Sequence, residues 1–316
     1  MNNMIISQQK PLGRSFANSR SSMFTGTSAP AKSAVLALLI LSFTSPDPSA
    51  APGETALEFL NIPIGAREAS LGHGGFAGIE GPQAMFYNPS LLGNEIAGFA
   101  SYQSLLLDSR SEAVAVALPI DDIISTGLGI YMFQPGVIEG YDSDNNRIGN
   151  LKSGDYLIRL SLARRGDVSY GLSFSLYGQR LDDQLGQGVG IGFGLSREFA
   201  YGRLALTADN FGPDFKIGTG AAPLPQRYSV SAWAPLREYR INVSLDLSYK
   251  PYIGFKPSGG IEYSPVSGFA LRAGSNRDTP VAFGAGLHLG NIDLDYTYFP
   301  SGTFGDRHII SFSATK

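Results

Sequence analysis

The sequence predicts an all-β protein, a transmembrane antiparallel β-barrel of about 14 strands whose lumen holds an N-terminal plug segment. Three observations carry that expectation. From Gly98 onward the chain alternates with a period of two, which places one set of side chains on each face of a strand. The alternating segments are mostly close to the nine to eleven residues that a tilted strand needs to cross a bilayer, and their number is even. Short connections alternate with longer ones, as between the two ends of an outer-membrane barrel.

Composition points the same way. Only 16% of the 316 residues are charged and 43% are hydrophobic, against about a quarter charged in soluble domains. The 39 glycines, 15 tyrosines and 19 phenylalanines suit strands and tight turns rather than apolar helices. A formal net charge of −3 leaves no basic footprint, so nucleic acid is not an expected partner. The absence of cysteine excludes disulfides, thiolate metal sites, a cysteine nucleophile and a lipidated N-terminal cysteine.

Residues 1–51 read as a signal peptide. The apolar run Ala34 to Phe43 follows Lys32 and is too short to span about 30 Å of hydrocarbon. Small residues follow it, and Ser49-Ala50-Ala51 fits a cleavage site after Ala51, with Met23 as an alternative start. A buried core helix is the competing reading.

Residues 52–97 form the expected plug. They do not alternate, they are too apolar for a solvated linker, and their simplest home is the barrel interior.

Residues 98–316 form the expected barrel, with strands near 98–106, 111–119, 124–133, 154–164, 168–181, 188–199, 202–210, 227–235, 239–249, 256–264, 268–276, 280–288, 291–300 and 307–315. Ile241, Val243, Leu245, Leu247 and Tyr249 interleave with Asn242, Ser244, Asp246 and Ser248. Turns such as Gly166-Asp167, Ala200-Tyr201 and Leu289-Gly290 would share the periplasmic end. The long connections Gln134 to Ser153 and Phe211 to Gln226 would share the other. A soluble β-sandwich also alternates, but its second face meets water and should be charged. Here that face is largely Gly, Ser, Ala and Thr, which suits lipid outside and a filled pore inside.

Several motifs resemble a known family. Phe59-Leu60-Asn61-Ile62-Pro63-Ile64-Gly65-Ala66-Arg67, the Leu71-Gly72 turn and Asn88-Pro89-Ser90-Leu91 are similar to the N-terminal signature of PorV/PorQ-type proteins, within the FadL-like outer-membrane transporters. Gly260-Ile261-Glu262-Tyr263, Ala270-Leu271-Arg272-Ala273-Gly274 and Asp295-Tyr296 add to the likeness, which runs from Leu57 to Ser313. The resemblance implies a 14-stranded barrel plugged by an N-terminal hatch. It implies carriage at the outer membrane: docking of secreted clients with type IX secretion subunits, or, as the alternative, FadL-type uptake of long-chain fatty acids or other hydrophobic small molecules. An outer-membrane enzyme is the weakest alternative.

Candidate site residues fall into two groups. On the lumen face, Asp246, Glu262, Arg272, Asp293 and Asp295 make either a polar track for substrate or a salt-bridge network that fills the lumen. Glu262 and Arg272, on adjacent strands joined by a short turn, are expected as a cross-strand pair. In the plug, Phe59, Ile62, Phe76, Met85, Phe86 and Tyr87 either line a ligand pocket or pack the plug itself. Asn88-Pro89 is either the moving part of a hatch or a static turn. No catalytic residue, metal site or cofactor is expected. His73, His288 and His308 lack metal-ligand spacing, and the alternate glycines Gly186 to Gly194 fail the dinucleotide fingerprint at every register. Glycine at every second position is instead a strand face kept small where other groups come close.

Overall fold

The computed structural model describes residues 55–300 and 306–316. The signal-peptide expectation for residues 1–51 lies outside the described residues.

Alternation becomes a closed wall. The barrel strands are β1 (Ala97–Ser104), β2 (Arg110–Pro119), β3 (Ile124–Gln134), β4 (Ser153–Arg164), β5 (Ser169–Leu181), β6 (Gln184–Phe199) and β7 (Gly202–Phe211). They continue with β8 (Arg227–Leu236), β9 (Ile241–Lys250), β10 (Gly254–Val266), β11 (Phe269–Asn276), β12 (Ala282–Leu289), β13 (Ile292–Phe299) and β14 (Arg307–Thr315). Each strand pairs antiparallel with its neighbours in sequence, and β14 returns to β1 from Ala97↔Thr315 to Ser104↔His308. The result is a closed 14-stranded barrel, so no edge is left unpaired.

The segments predicted from alternation coincide with these strands, with two informative differences. β6 begins at Gln184 rather than near 188, because Asp182-Asp183 closes a hairpin in which Leu181 pairs Gln184 and Asp182 takes a φ of 53°. The connection from Gln134 to Ser153 is folded, with strands Ile138–Tyr141 and Arg147–Leu151 paired as a hairpin off the barrel.

The two faces explain the composition. Outward side chains such as Leu160, Phe174 and Phe193 are each about half exposed, while Ala113, Ala115, Ser161, Ser173, Ser175 and Ser231 face inward and are buried. A wall that is apolar outside requires hydrocarbon rather than water around it. At the long-loop end, outward Phe211, Tyr228, Tyr249 and Phe255 form an aromatic row across β7 to β10, with successive ring centroids 5.3, 6.3 and 5.0 Å apart. Such aromatic girdles mark the membrane–water boundary.

Residues 58–92 lie inside this wall as five short helical turns: Glu58–Asn61, α1 (Ala66–Ser70), Phe76–Gly78, Pro82–Phe86 and Pro89–Leu91. Their breaks follow from Gly65, Gly75, Gly81 and Pro89, which end or restart the backbone every few residues. The segment meets strands all round the barrel: the Ala66 amide donates to Ser311 on β14, the Gly75 amide to Asp246 on β9, and Tyr131 on β3 donates to the Phe59 carbonyl. Leu71 and Gly72 approach β10 and β11 so closely that a methyl group on Gly260 or Gly274 would overlap their backbone. The two stretches of sequence that carry the family resemblance therefore touch each other. On β6 the alternate glycines face Phe215, Tyr177, Asp209 and Asn88 in turn, which is why that strand face has no side chains.

Candidate functional site

The interior is held by polar groups in three clusters, each joining the N-terminal segment to the wall. The first lies towards the short-turn end. Glu262 and Arg272 face each other directly in the β10–β11 register, and Arg272 Nε donates to Glu262 Oε2 at 2.6 Å. Arg272 Nη1 continues to Asp295 Oδ1 at 2.5 Å. Arg67 of α1 enters from the segment: its Nε donates to Glu262 Oε2 at 3.0 Å, its Nη1 to the Gly78 carbonyl at 2.9 Å, and its guanidinium lies 5.0 Å from the Trp233 ring centre. Alternating signs keep each buried charge paired, the condition for tolerating charge away from water. Asp293 does not join them. It faces inward at the rim, half exposed, where it bonds His288 and accepts from Ser313, and it lines the same recess as Glu262, Arg272 and Asp295.

Asp246 is the second anchor. Its carboxylate accepts from the amides of Gly75 (2.7 Å) and Phe76 (3.2 Å). Two successive amides presented by a turn make a small anion-binding concavity, and charge-assisted bonds are the stronger kind.

The third cluster is the deepest. Arg159 of β4 grips Asp209 of β7 with two bonds of 3.0 and 3.1 Å, and its Nη1 also donates to the Met85 carbonyl at 3.2 Å. Arg227 of β8 donates to the carbonyls of Phe86 and Tyr87, 3.3 Å each, and reaches Asp209 at 3.4 Å. A register shift opposite Ile191 to Phe193, with Asn210 at φ 63°, turns Asp209 and Asn210 inward together. Asn210 accepts from Tyr177 at 2.9 Å and donates to the Pro225 carbonyl at 3.0 Å. Sequence reading missed this cluster. Its one signal was an arginine at an inward position of β4, between Leu157 and Ser161.

The apolar candidates pack against one another. Phe76 stacks on Tyr87 at 4.9 Å and Phe59 on Tyr131 at 5.3 Å, while Met85 and Phe86 sit against Gly129. Ile62 is half-buried against the same core. The Tyr87 hydroxyl accepts from the amides of Ile64 (2.7 Å) and Gly65 (3.3 Å). The cavity beside Phe86, Ile64 and Tyr131 is about 20 Å³. Asn88 is fully buried; its Oδ1 accepts from Ser90 N, and its Nδ2 donates to the carbonyls of Leu195 and Leu206 on β6 and β7, 3.3 Å each. With Pro89 against Gly171 and Gly194, this turn is anchored to three strands.

Wider recesses open at the short-turn end. One of about 410 Å³ is lined by Glu80, Arg165, Glu198 and Arg203, and another of about 370 Å³ by Arg67, Glu262, Asp293 and Asp295. Among the described residues no group of His, Asp and Glu is placed to hold a metal ion.

Several solved structures, transporters and channels among them, are similar to this chain in fold. The crystal structure of the Pseudomonas putida toluene transporter TodX is similar with a TM-score of 0.57 and 12% identity, covering 79% of this chain and 98% of its own. A Pseudomonas aeruginosa FadL homologue is similar at 0.56 and 10% identity, covering 80% and 98%. The CymD monoaromatic hydrocarbon channel follows at 0.53 and 12%, covering 80% and 97%. At such identities the likeness is one of fold. No protein-family model matches the sequence. No curated protein matches it either.

Proposed function

We propose that this protein is an outer-membrane channel of the FadL type that passes hydrophobic small molecules, with residues 55–92 acting as its plug after export through a cleaved signal peptide. The observation that carries this reading is the N-terminal segment inside the barrel, buried among the inward side chains and tied to the wall at Arg67, Gly75-Phe76 and Asn88. An open, water-filled pore would leave those inward side chains solvated. Fold similarity to the toluene transporter and the monoaromatic hydrocarbon channel favours hydrophobic small molecules as cargo. Docking of secreted clients with type IX subunits rests on the sequence resemblance alone.

Deletion of residues 54–97 tests the plug. The truncated barrel should conduct ions in planar bilayers far better than the full chain, and equal conductance rejects the plug. Proteoliposomes loaded by the full chain should accumulate toluene or a long-chain fatty acid faster than empty ones. Failure to do so, together with recovery of secretion subunits but no lipid in a pull-down, would restore the docking reading.

A further inference from the structure

The outward face of the wall ends differently at its two rims. At the long-loop rim the outward cation Arg110 pairs with Glu112 at 3.5 Å and donates to the Gln134 carboxamide at 3.0 Å. At the short-turn rim, two outward arginines on neighbouring strands lack such partners. Arg164 follows Leu160 and Leu162 on the outward face of β4, and Arg197 follows Phe193 and Leu195 on that of β6; all six are exposed.

Register puts both arginines on one patch. Arg164 faces Tyr170 across β4 and β5, and Tyr170 faces Leu195 across β5 and β6, one outward step from Arg197. With strands about 4.8 Å apart and residues about 3.4 Å apart along each, the two Cα atoms stand about 12 Å from one another. Two long side chains can meet across that gap. Each guanidinium lies over an aromatic ring, Arg164 at 5.7 Å from the Tyr170 centre and Arg197 at 5.2 Å from that of Phe199. Among the described residues neither forms an ion pair. The nearby carboxylates turn inward: Glu198 pairs with Arg203, and Glu198 and Asp167 line the recess on whose lip Arg197 stands. A guanidinium stacked on a ring still presents N–H donors at its edge, and phosphate is an acceptor that its fork fits in pairs. Beside the arginines, Val168, Tyr170, Phe199 and Leu204 are exposed and apolar.

We infer that this patch is a binding site for an anionic phospholipid of the leaflet at the short-turn end, its phosphate held by Arg164 and Arg197 and its chains lying on the apolar wall. Charge selects the lipid. Two cations without a counter-charge favour a head group of net negative charge over one whose phosphate is already matched by its own ammonium. The site rests on the placement of the wall in a membrane, not on what the channel carries.

The test uses the full chain in non-ionic detergent, titrated with dioleoyl phosphatidylglycerol or dioleoyl phosphatidylcholine, with bound lipid counted by native mass spectrometry. Phosphatidylglycerol should bind at least tenfold more tightly, and the preference should shrink as salt rises, because the attraction acts at a wet rim. Arg164→Gln combined with Arg197→Gln should abolish the preference, whereas Arg180→Gln, at an exposed arginine near the long-loop end of β5, should leave it intact. Equal binding of the two lipids, or a preference that survives in the double variant, overturns the site. The lipid comparison and its salt dependence come from the unsubstituted protein, so they decide the matter even if the double variant fails to fold; folding of each variant is read from heat-modifiable gel mobility. Because binding is read without transport, a failure here leaves the channel reading standing.

Discussion

Arg159 shows how much one inward side chain can depend on the rest of the barrel. It lies fully buried between Asp209, Asn210, Ser175 and the Met85 carbonyl, so its charge is tolerated only because one carboxylate faces it. Asp209→Asn removes the carboxylate that Arg159 and Arg227 share. Stranding a buried charge this way costs about 3–5 kcal/mol, so the urea midpoint of the refolded barrel should fall well below that of the parent. An unchanged midpoint would mean that water reaches the pair. At the same scale, Gly274 has no side chain because Leu71 and Gly72 occupy that space. Gly274→Leu should push the segment off β11 while the outward face still drives assembly. Expected is a folded, heat-modifiable barrel with raised conductance; conductance at the parent level would show that the segment accommodates the side chain.

At the scale of the strand, the outward and inward faces answer to different solvents. Phe174, near the middle of β5, pairs with Leu160 and faces outward, whereas Tyr228 stands in the aromatic row at the rim. Phe174→Arg should therefore cost about 2–4 kcal/mol in lipid, and Tyr228→Arg about 0–1 kcal/mol, because a rim charge reaches water. Equal costs in a folding titration in lipid vesicles would contradict the assigned membrane depth. The strands were legible in the sequence because their period of two is local: each residue's face depends only on its neighbours in the chain. The turn at Asp182-Asp183 was less legible. Two acidic residues read as the edge of a loop, while the left-handed backbone of Asp182 closed a tight hairpin instead.

At the scale of the whole molecule, the proposed channel requires some part of the N-terminal segment to move. The Asn88-Pro89-Ser90 turn is bonded to β6 and β7, and Ser90 Oγ lies 3.0 Å from Ser196 Oγ. Since the chain has no cysteine, Ser90→Cys with Ser196→Cys introduces a single possible disulfide. Oxidation of this pair should leave hydrophobic uptake unchanged, because the turn it locks is already fixed. Uptake that stops on oxidation and returns on reduction would make this turn the moving element.

The sequence alone determined the barrel. Alternation of face, strand length and connection length are properties of neighbouring residues, and they survive without knowledge of what each strand touches. It also brought Glu262 and Arg272 within reach, because a short turn fixes the register of adjacent strands. Tertiary structure decided everything that crosses the lumen. Arg67 joins Glu262 and Arg159 joins Asp209 and Met85 across large separations in the chain, while Asp293 is left at the rim with His288. Those partnerships depend on barrel circumference and on how the broken N-terminal segment folds within it. No local periodicity encodes either, which is why the inward charges could be named from the sequence but not paired.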